Sequence, residues 1–294
     1  MIALLALCLL PPAAQDELEE EFNYVEYTSE FASELNFQEG AVELASGEAS
    51  FDLPNGWAFL QAADARRVVE EFWGNPPDET TLGFIDPPHD LGRLQGDWGI
   101  IVSADFEGYI SDDDAGDQDY AEILRDMQAG SREENELRAE AGYESIEIVG
   151  WAEPPHYDAA SHKLFWAKEL KFGDSEETTL NYDVRVLGRR GTLVLQAVSP
   201  MSLFPQVQEG MKDALEATSF LEGHRYQDFD SNIDKVAAYG IGGLVAGKLA
   251  AKVGLFAVFA KFGKVIAVAA VGLFVAAKKF LFGEKASSDA EPQA

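Results

Sequence analysis

Three successive β-strands can be recognised in residues 163–198, which read KLFWAKELKFGDSEETTLNYDVRVLGRRGTLVLQAV. Aromatic and β-branched residues, which favour strands, are concentrated in three short runs of this stretch. The links Gly173-Asp174-Ser175 and Gly188-Arg189-Arg190 carry residues typical of tight turns, and tight turns join antiparallel neighbours. We therefore predict an antiparallel sheet that includes strands over Lys163–Phe172, Leu180–Leu187 and Gly191–Val198.

The segments on either side of this stretch add further strands and helices. Apolar runs predict the strands, and apolar residues at helical spacing predict the helices. The predicted strands are Ala41–Leu53, Trp57–Leu60, Trp98–Phe106 and Ser145–Trp151. The predicted helices are Ala62–Trp73, Tyr120–Ala141 with a break near Gly130-Ser131, and Phe204–Thr218 with Val207, Met211, Ala214 and Leu215 facing inward. We expect an α+β domain, a mainly antiparallel sheet with flanking helices.

Charge divides the chain into two unequal parts. The 294 residues carry 22 Lys+Arg and 52 Asp+Glu, which gives a formal net charge of −30. Residues 15–232 have a net charge of −34, and residues 233–294 have a net charge of +4. A strongly acidic surface repels phosphate backbones, so nucleic-acid binding is excluded as a function.

The N-terminus has the layout of a secretory signal peptide, which we assign to residues 1–14. A short apolar run is followed by Pro11-Pro12 and small residues before the acidic chain begins. Cleavage at this point would remove Cys8, the single cysteine, so the mature protein would have neither a disulfide nor a thiolate metal ligand. Residues 15–39 are predicted to form a loose acidic arm with a helix around Tyr27–Leu35.

The C-terminal region predicts a membrane anchor over residues 233–283. From Val236 to Gly283 it contains no acidic residue, and it consists mainly of small and apolar residues with interspersed lysines. With the signal peptide, this anchor would hold the domain over residues 40–232 outside the cytoplasm. A polar tail over residues 284–294 follows the anchor.

Two arrangements of the anchor are possible. A single span over about 253–277 is preferred, because it leaves Lys278 and Lys279 in the cytoplasm together with the tail, as the positive-inside tendency favours. The alternative is a hairpin of two spans near residues 237–260 and 265–282.

The sequence carries no phosphate loop, dinucleotide fingerprint, nucleophile elbow or HExxH motif. Two Pro-Pro-His turns each place a histidine close to a carboxylate, at His89 and at His156. Asn181 and Arg185 stand four apart on one predicted strand, so they share a face. We interpret them first as members of salt bridges within the domain and keep binding of an anion or a partner's carboxylate as the alternative. The candidate binding residues are Trp151, His156, Asp158, Trp166, Asn181 and Arg185.

The acidic segment Asp112–Asp119 is a candidate calcium loop, because calcium prefers several carboxylate oxygens. It lacks the order of an EF-hand, since Gly116 falls where a ligand is needed and no glutamate stands at the closing position. We therefore interpret it first as a solvated loop and keep a calcium-responsive module as an alternative. No catalytic or metal-ligating residue is assigned, and no cofactor is expected.

Several motifs, in a fixed order, resemble an uncharacterised bacterial family of predicted membrane-anchored proteins, the domain of unknown function twenty-one sixty-seven. The similarity spans roughly residues 40–260 and is carried by Trp73–Pro77, Gly108–Ile110, Gly150–Asp158, Leu164–Ala167, Leu180–Arg189 and Ala237–Gly240. The resemblance implies a signal peptide, an extracytoplasmic domain and a C-terminal anchor. It implies no catalytic residues and no activity.

We expect a protein of the bacterial inner membrane whose extracytoplasmic domain is a non-enzymatic binding or scaffolding module. Its expected partners are the lipid bilayer, through the anchor, and an envelope protein. The alternative is an envelope enzyme that uses a cleft centred on His156 and Asp158, beside Trp151 and Trp166.

Overall fold

The computed structural model of the chain describes residues 24–75, 77–140 and 142–246. Its strands form two antiparallel sheets. The smaller sheet has the order β1 (Ala41–Glu43), β2 (Ala49–Asp52), β10 (Thr218–Phe220). The larger, seven-stranded sheet has the order β3 (Ala58–Gln61), β4 (Thr81–Asp86), β5 (Gly99–Asp105), β9 (Gly191–Pro200), β8 (Thr179–Gly188), β7 (Lys163–Phe172), β6 (Ile146–Asp158).

The helices flank the larger sheet, so the predicted α+β class with a mainly antiparallel sheet is confirmed. Helix α1 covers residues 24–33, and α2 (Ala62–Arg66) continues as a π-helical segment over Arg67–Phe72. The remaining helices are α3 (Tyr120–Glu140), α4 (Phe204–Ala217) and α5 (Ile241–Ala246). Short 3₁₀ turns lie at Met201–Leu203 and Tyr226–Asp228.

One face of the large sheet is covered by α4 and the small sheet. Val207, Met211, Ala214 and Leu215 of α4 are buried there, as their helical spacing predicts. Their partners in this core include Phe51 from β2 and alternate residues of β8 and β9. Burial of so much apolar surface makes this face the main hydrophobic core.

The opposite face is covered at its two sides by different helices. At one side, α1 and α2 pack on Leu60 and Phe84 of β3 and β4. At the other side, α3 packs on Ile148 and Leu170 of β6 and β7, and α5 packs beside Leu164 and Trp166 of β7. The central rows of this face, on β9 and β8, lie between the two helical groups.

Three predicted boundaries are wrong in detail. The strand over Ala41–Leu53 is divided into β1 and β2 by a turn at Gly47. Strand β6 runs past Trp151 through the Pro-Pro pair to Asp158, which an edge strand permits because its outer N–H groups need no partner strand. Helix α3 has no break, because Gly130 and Ser131 are buried and the Ser131 hydroxyl donates to the carbonyl of Ile146 at 2.6 Å.

The described ends of the chain pack on the domain. Helix α1 buries Phe31 and Ala32 in the cluster with α2, so the expected helix is present but residues 24–39 are not a loose arm. Residues 233–246, the start of the predicted anchor, also pack on the domain through a bridge between Tyr109 and Val236 and through α5.

The signal peptide over 1–14, residues 15–23, the anchor from residue 247 to 283 and the tail over 284–294 lie outside the described residues. Across 24–75, 77–140 and 142–246, no helix combines the length and the apolar character needed to cross a bilayer.

Candidate functional site

The register of the strands places several polar side chains next to one another on the sheet face that carries the two helical groups, in the area between those groups. Trp166 pairs with Asp183, which pairs with Gln196. The neighbouring row joins Lys168 to Asn181. Directly opposed residues on antiparallel strands share a face, so these side chains project to the same side of the sheet as Arg185, two residues further along β8. We call Trp166, Lys168, Asn181, Asp183, Arg185 and Gln196 the sheet-face cluster.

Asp183 is the centre of this cluster, and it is only 1% exposed. Its Oδ1 accepts a hydrogen bond of 2.9 Å from Nε2 of Gln196 and lies 3.5 Å from Nη2 of Arg185. Its Oδ2 faces Nζ of Lys168 at 3.3 Å, which is an ion pair without an aligned hydrogen bond. Two cations therefore share one buried carboxylate.

The guanidinium of Arg185 also lies over an aromatic ring. Its central carbon is 5.2 Å from the ring centroid of Trp166, and Trp166 is 2% exposed. A guanidinium over an indole face gains a favourable cation–π interaction. The ring and the carboxylate together fix the position of the Arg185 side chain.

Four polar atoms of the cluster are buried and have no hydrogen-bond partner among the described residues. They are Nε1 of Trp166, Oδ1 of Asn181, Oδ2 of Asp183 and Nη1 of Arg185. Burying such atoms unpaired costs free energy, and proteins pair the great majority of them. The cluster therefore presents two donors and two acceptors whose hydrogen bonds the described residues do not supply.

Tyr239 stands at the end of the cluster close to Arg185. Burial raises the pKa of the Tyr239 hydroxyl, and the charges of Asp105 and Glu107 raise it further. The positive charge of Arg185 acts in the opposite direction but does not reverse the shift. Tyr239 is therefore a neutral hydroxyl at physiological pH.

The structure brings together Trp166, Asn181 and Arg185, three of the six residues that the sequence singles out. Trp151 lies in the row of Lys168, but its Nε1 donates to the carbonyl of Tyr120 at 3.1 Å, which ties it to the start of α3. The sequence pattern alone does not distinguish Lys168, Asp183 and Gln196 from other polar strand residues. The alternation of side chains along β8 could have indicated Asp183, because it lies midway between Asn181 and Arg185 and therefore on the same face.

His156 and Asp158 are not part of the cluster. His156 is exposed and pairs with Phe165, whose side chain lies on the other face, with the ring centroids 6.5 Å apart. Asp158 accepts hydrogen bonds from Oγ of Ser161 and the backbone N–H of Ala160 in a turn, which lower the pKa of its carboxyl. The cleft of the alternative enzyme hypothesis, with Trp151 and Trp166 beside this pair, is therefore not assembled.

The carboxylates of the acidic segment Asp112–Asp119 accept hydrogen bonds from other parts of the same domain. Asp112 accepts hydrogen bonds from the hydroxyls of Tyr157 at 2.6 Å and Tyr226 at 3.1 Å. Burial acts to raise the pKa of Asp112, but these two hydrogen bonds, together with a backbone hydrogen bond and the neighbouring His162, hold the pKa below the usual value. Asp114 accepts from the backbone N–H groups of Ile241 and Gly242, so the loop holds α5 against the domain.

Asp119 caps the start of α3 by accepting from the backbone N–H groups of Ala121 and Glu122, each at 3.0 Å. In the part of the chain that the structure describes, no three or more His, Cys, Asp or Glu side chains are grouped so that they could hold a metal ion. The segment Asp112–Asp119 therefore holds the residues that lead to the predicted anchor against the domain.

A family model described as "Protein of unknown function (DUF2167)" matches residues 36–276 of the sequence. The chain belongs to this family. The match covers every described strand and helix except α1, and it confirms the resemblance carried by the sequence motifs. No curated protein matches the sequence.

Solved structures give distant likenesses. The cyanobacterial PsbP protein (CyanoP) of Synechocystis sp. PCC 6803 has a TM-score of 0.36 and 10% identity, and the alignment covers 64% of this chain and 94% of that one. The Ran-binding protein Mog1p of Saccharomyces cerevisiae has a TM-score of 0.32 and 14% identity, with 63% and 95% covered. LpqN, involved in cell envelope biogenesis of Mycobacterium tuberculosis, has a TM-score of 0.29 and 14% identity, with 65% and 95% covered. Likeness at these scores carries no argument about function.

Proposed function

We propose that this family member is a membrane-anchored binding module of the bacterial envelope, and that the sheet-face cluster is its recognition site. The single observation that carries the proposal is the group of buried, unpaired polar atoms on Trp166, Asn181 and Arg185. A bound polar group that reached the two donors, Nε1 of Trp166 and Nη1 of Arg185, would supply hydrogen bonds that the described residues do not. Pre-organised donors of this kind suit binding, since little conformational freedom is lost when the ligand arrives.

The chemistry of the cluster favours a carboxylate on a partner protein as the bound group. Nη1 of Arg185 and Nε1 of Trp166 are both donors, and a carboxylate accepts from both. Within the cluster Lys168 and Arg185 share the carboxylate of Asp183, and an added carboxylate would give Nη1 of Arg185 a charge-assisted hydrogen bond. Ser103 and Val198 on the same face are half-exposed, which leaves the site accessible from solvent.

The proposed location is the outer side of the bacterial inner membrane, with the C-terminal tail in the cytoplasm. The signal-peptide layout of residues 1–14 and the acid-free, lysine-containing segment support it. A single span over about 253–277 fits better than a hairpin. The hairpin's first span, near 237–260, would need Ile241 and Leu244, which are buried in the domain.

Topology is tested with reporters fused after Ala294 of the full chain. We expect a reporter that works only in the cytoplasm to be active and one that works only outside it to be inactive. The same pair fused after Asp230, within the domain, is the control and should give the opposite result. Activity of the outer reporter at Ala294 would contradict the single span.

Recognition is tested by photo-crosslinking in cells. Ser103 lies in one row with Val194 and Arg185, so a photo-reactive residue at this position faces an occupant of the cluster. We expect a discrete crosslinked adduct in the otherwise unchanged chain. Arg185→Gln should reduce the adduct about tenfold, since a hydrogen bond to a charged group is lost.

Two controls separate recognition from general damage. Arg132→Gln, an exposed change on α3, should leave the adduct intact. A photo-reactive residue at the exposed Val149 on β6 should give no adduct that depends on Arg185. Absence of an adduct from position 103, or an adduct of equal yield with Arg185→Gln, would contradict a recognition role for the cluster.

A further inference from the structure

A separate small pocket of about 150 Å³ opens where the β8–β9 turn meets the end of β5 and strand β10. In the described residues it is lined by Glu48, Phe106, Arg190, Phe220 and His224. At about 30 Å³ for each water molecule, it has room for about five waters, so its ligand is a small molecule with fewer than about ten non-hydrogen atoms. None of its lining residues belongs to the sheet-face cluster.

The acidic group of this pocket is Glu48. Its Oε2 is buried and accepts no hydrogen bond from the described residues. The backbone around it is fixed, because its carbonyl accepts from the N–H of Leu221 at 2.9 Å and the following residue, Ala49, pairs with Phe220. A buried carboxylate oxygen in a fixed position favours a ligand that donates to it, and an ammonium group does so most strongly.

The basic groups are Arg190 and His224. Nη2 of Arg190 lies 3.5 Å from Nδ1 of His224, and since a guanidinium only donates, Nδ1 is the acceptor and Nε2 carries the proton. The neighbouring Arg189 is already bound, by Asp234 at 2.7 Å and by the carbonyl of Gly223. Arg190 is exposed and keeps further donors for an anionic ligand group.

Two phenyl rings complete the lining. Phe106 is 42% exposed, which is high for a phenylalanine, and Phe220 is half-buried. Phe220 can lie against the turn because residue 188 is glycine: a Cβ there would be 2.6 Å from its ring. Aromatic faces attract an ammonium group and also pack on an aliphatic side chain.

We infer that this pocket binds a free α-amino acid with a small aliphatic side chain. The ammonium group donates to Glu48, the carboxylate accepts from Arg190 and His224, and the aliphatic part lies against Phe106 and Phe220. Opposite charges that line one small pocket match a zwitterion better than either a simple amine or a simple carboxylate. The site is independent of the carboxylate-binding role proposed for the sheet-face cluster.

The test is calorimetric titration of the detergent-solubilised full chain with three compounds of one shape. L-valine carries both charged groups, isovalerate lacks the ammonium group and isobutylamine lacks the carboxylate. We expect L-valine to bind at least about tenfold more tightly than either of the others, since each lacks one charge-assisted hydrogen bond. Equal affinity of L-valine and isovalerate, or no binding of L-valine up to about 20 mM, would overturn the inference.

Variants assign the two charged groups separately. Glu48→Gln should weaken L-valine about tenfold and make it equal to isovalerate, whereas Arg190→Gln should make it equal to isobutylamine. Glu43→Gln and Arg132→Gln, exposed and outside the pocket, should leave all three affinities unchanged. Because each variant is judged by a ratio of affinities, partial loss of folded protein does not imitate the effect. A Glu48→Gln variant that keeps the preference for L-valine would refute the role of Glu48.

Discussion

Replacing Asp183 by alanine is expected to lower the free energy of unfolding by about 3–5 kcal/mol, because it leaves buried positive charge without its partner. The Asp183 carboxylate is 1% exposed. It forms ion pairs with Lys168 and Arg185 and accepts a hydrogen bond from Gln196. Without it, Lys168 and Arg185 lose the buried anion that they share. The loss is therefore of the size found when one member of a buried charge network is removed.

The measurement is urea unfolding of the full chain in mild detergent, followed by tryptophan fluorescence. Asp174→Ala, in the exposed turn between β7 and β8, is the matched control and should change the unfolding free energy by less than about 0.5 kcal/mol. Asp183→Asn keeps the shape and should fall between the two. A loss below about 1 kcal/mol for Asp183→Ala would show that the cations do not depend on this carboxylate.

The strands of residues 163–198 could be predicted to within two residues, because their signal is local. Glycine turns stand at both links, and the runs between them are long enough to pair. Strand β4 could not be predicted, since Gly83 interrupts its apolar pattern. In the fold that glycine makes room for the ring of Phe59, which a Cβ at residue 83 would overlap. The signal for β4 is thus tertiary and is absent from its own sequence.

The sheet-face cluster was likewise predictable only in part, where the signal is local. Asn181 and Arg185 could be placed on one face from the period of a strand alone. Their meeting with Trp166 and Gln196 depends on the register of β7 and β9, which the turn geometry sets. In the sequence, the Pro-Pro-His segment at His156 suggests a functional site, because it places an imidazole near a carboxylate. Its prolines instead occupy an edge strand, where Pro155 is buried.

Gly191→Ala is expected to destabilise the domain by about 3–5 kcal/mol, the second large effect, from backbone strain added to overpacking. Gly191 has φ +148°, a conformation that side chains rarely adopt, and an added Cβ would overlap the carbonyl oxygen of Asp105. Neither the β8–β9 turn nor β5 can move aside easily, because β5 pairs along its whole length with β9. The strain therefore opens the centre of the sheet.

The matched control is Gly150→Ala on the edge strand β6, where a Cβ meets no atom within 4 Å and φ is not positive. It should change the unfolding free energy by less than about 0.5 kcal/mol.

The two substitutions also separate an effect on stability from an effect on L-valine binding. The carbonyl of Arg190 accepts from the N–H of Gly108, so the turn that carries Arg190 is fixed against the end of β5. Moving that turn should abolish L-valine binding in whatever Gly191→Ala protein still folds, whereas Gly150→Ala should bind normally. A folded Gly191→Ala protein with unchanged L-valine affinity would mean that Arg190 is not positioned by this turn.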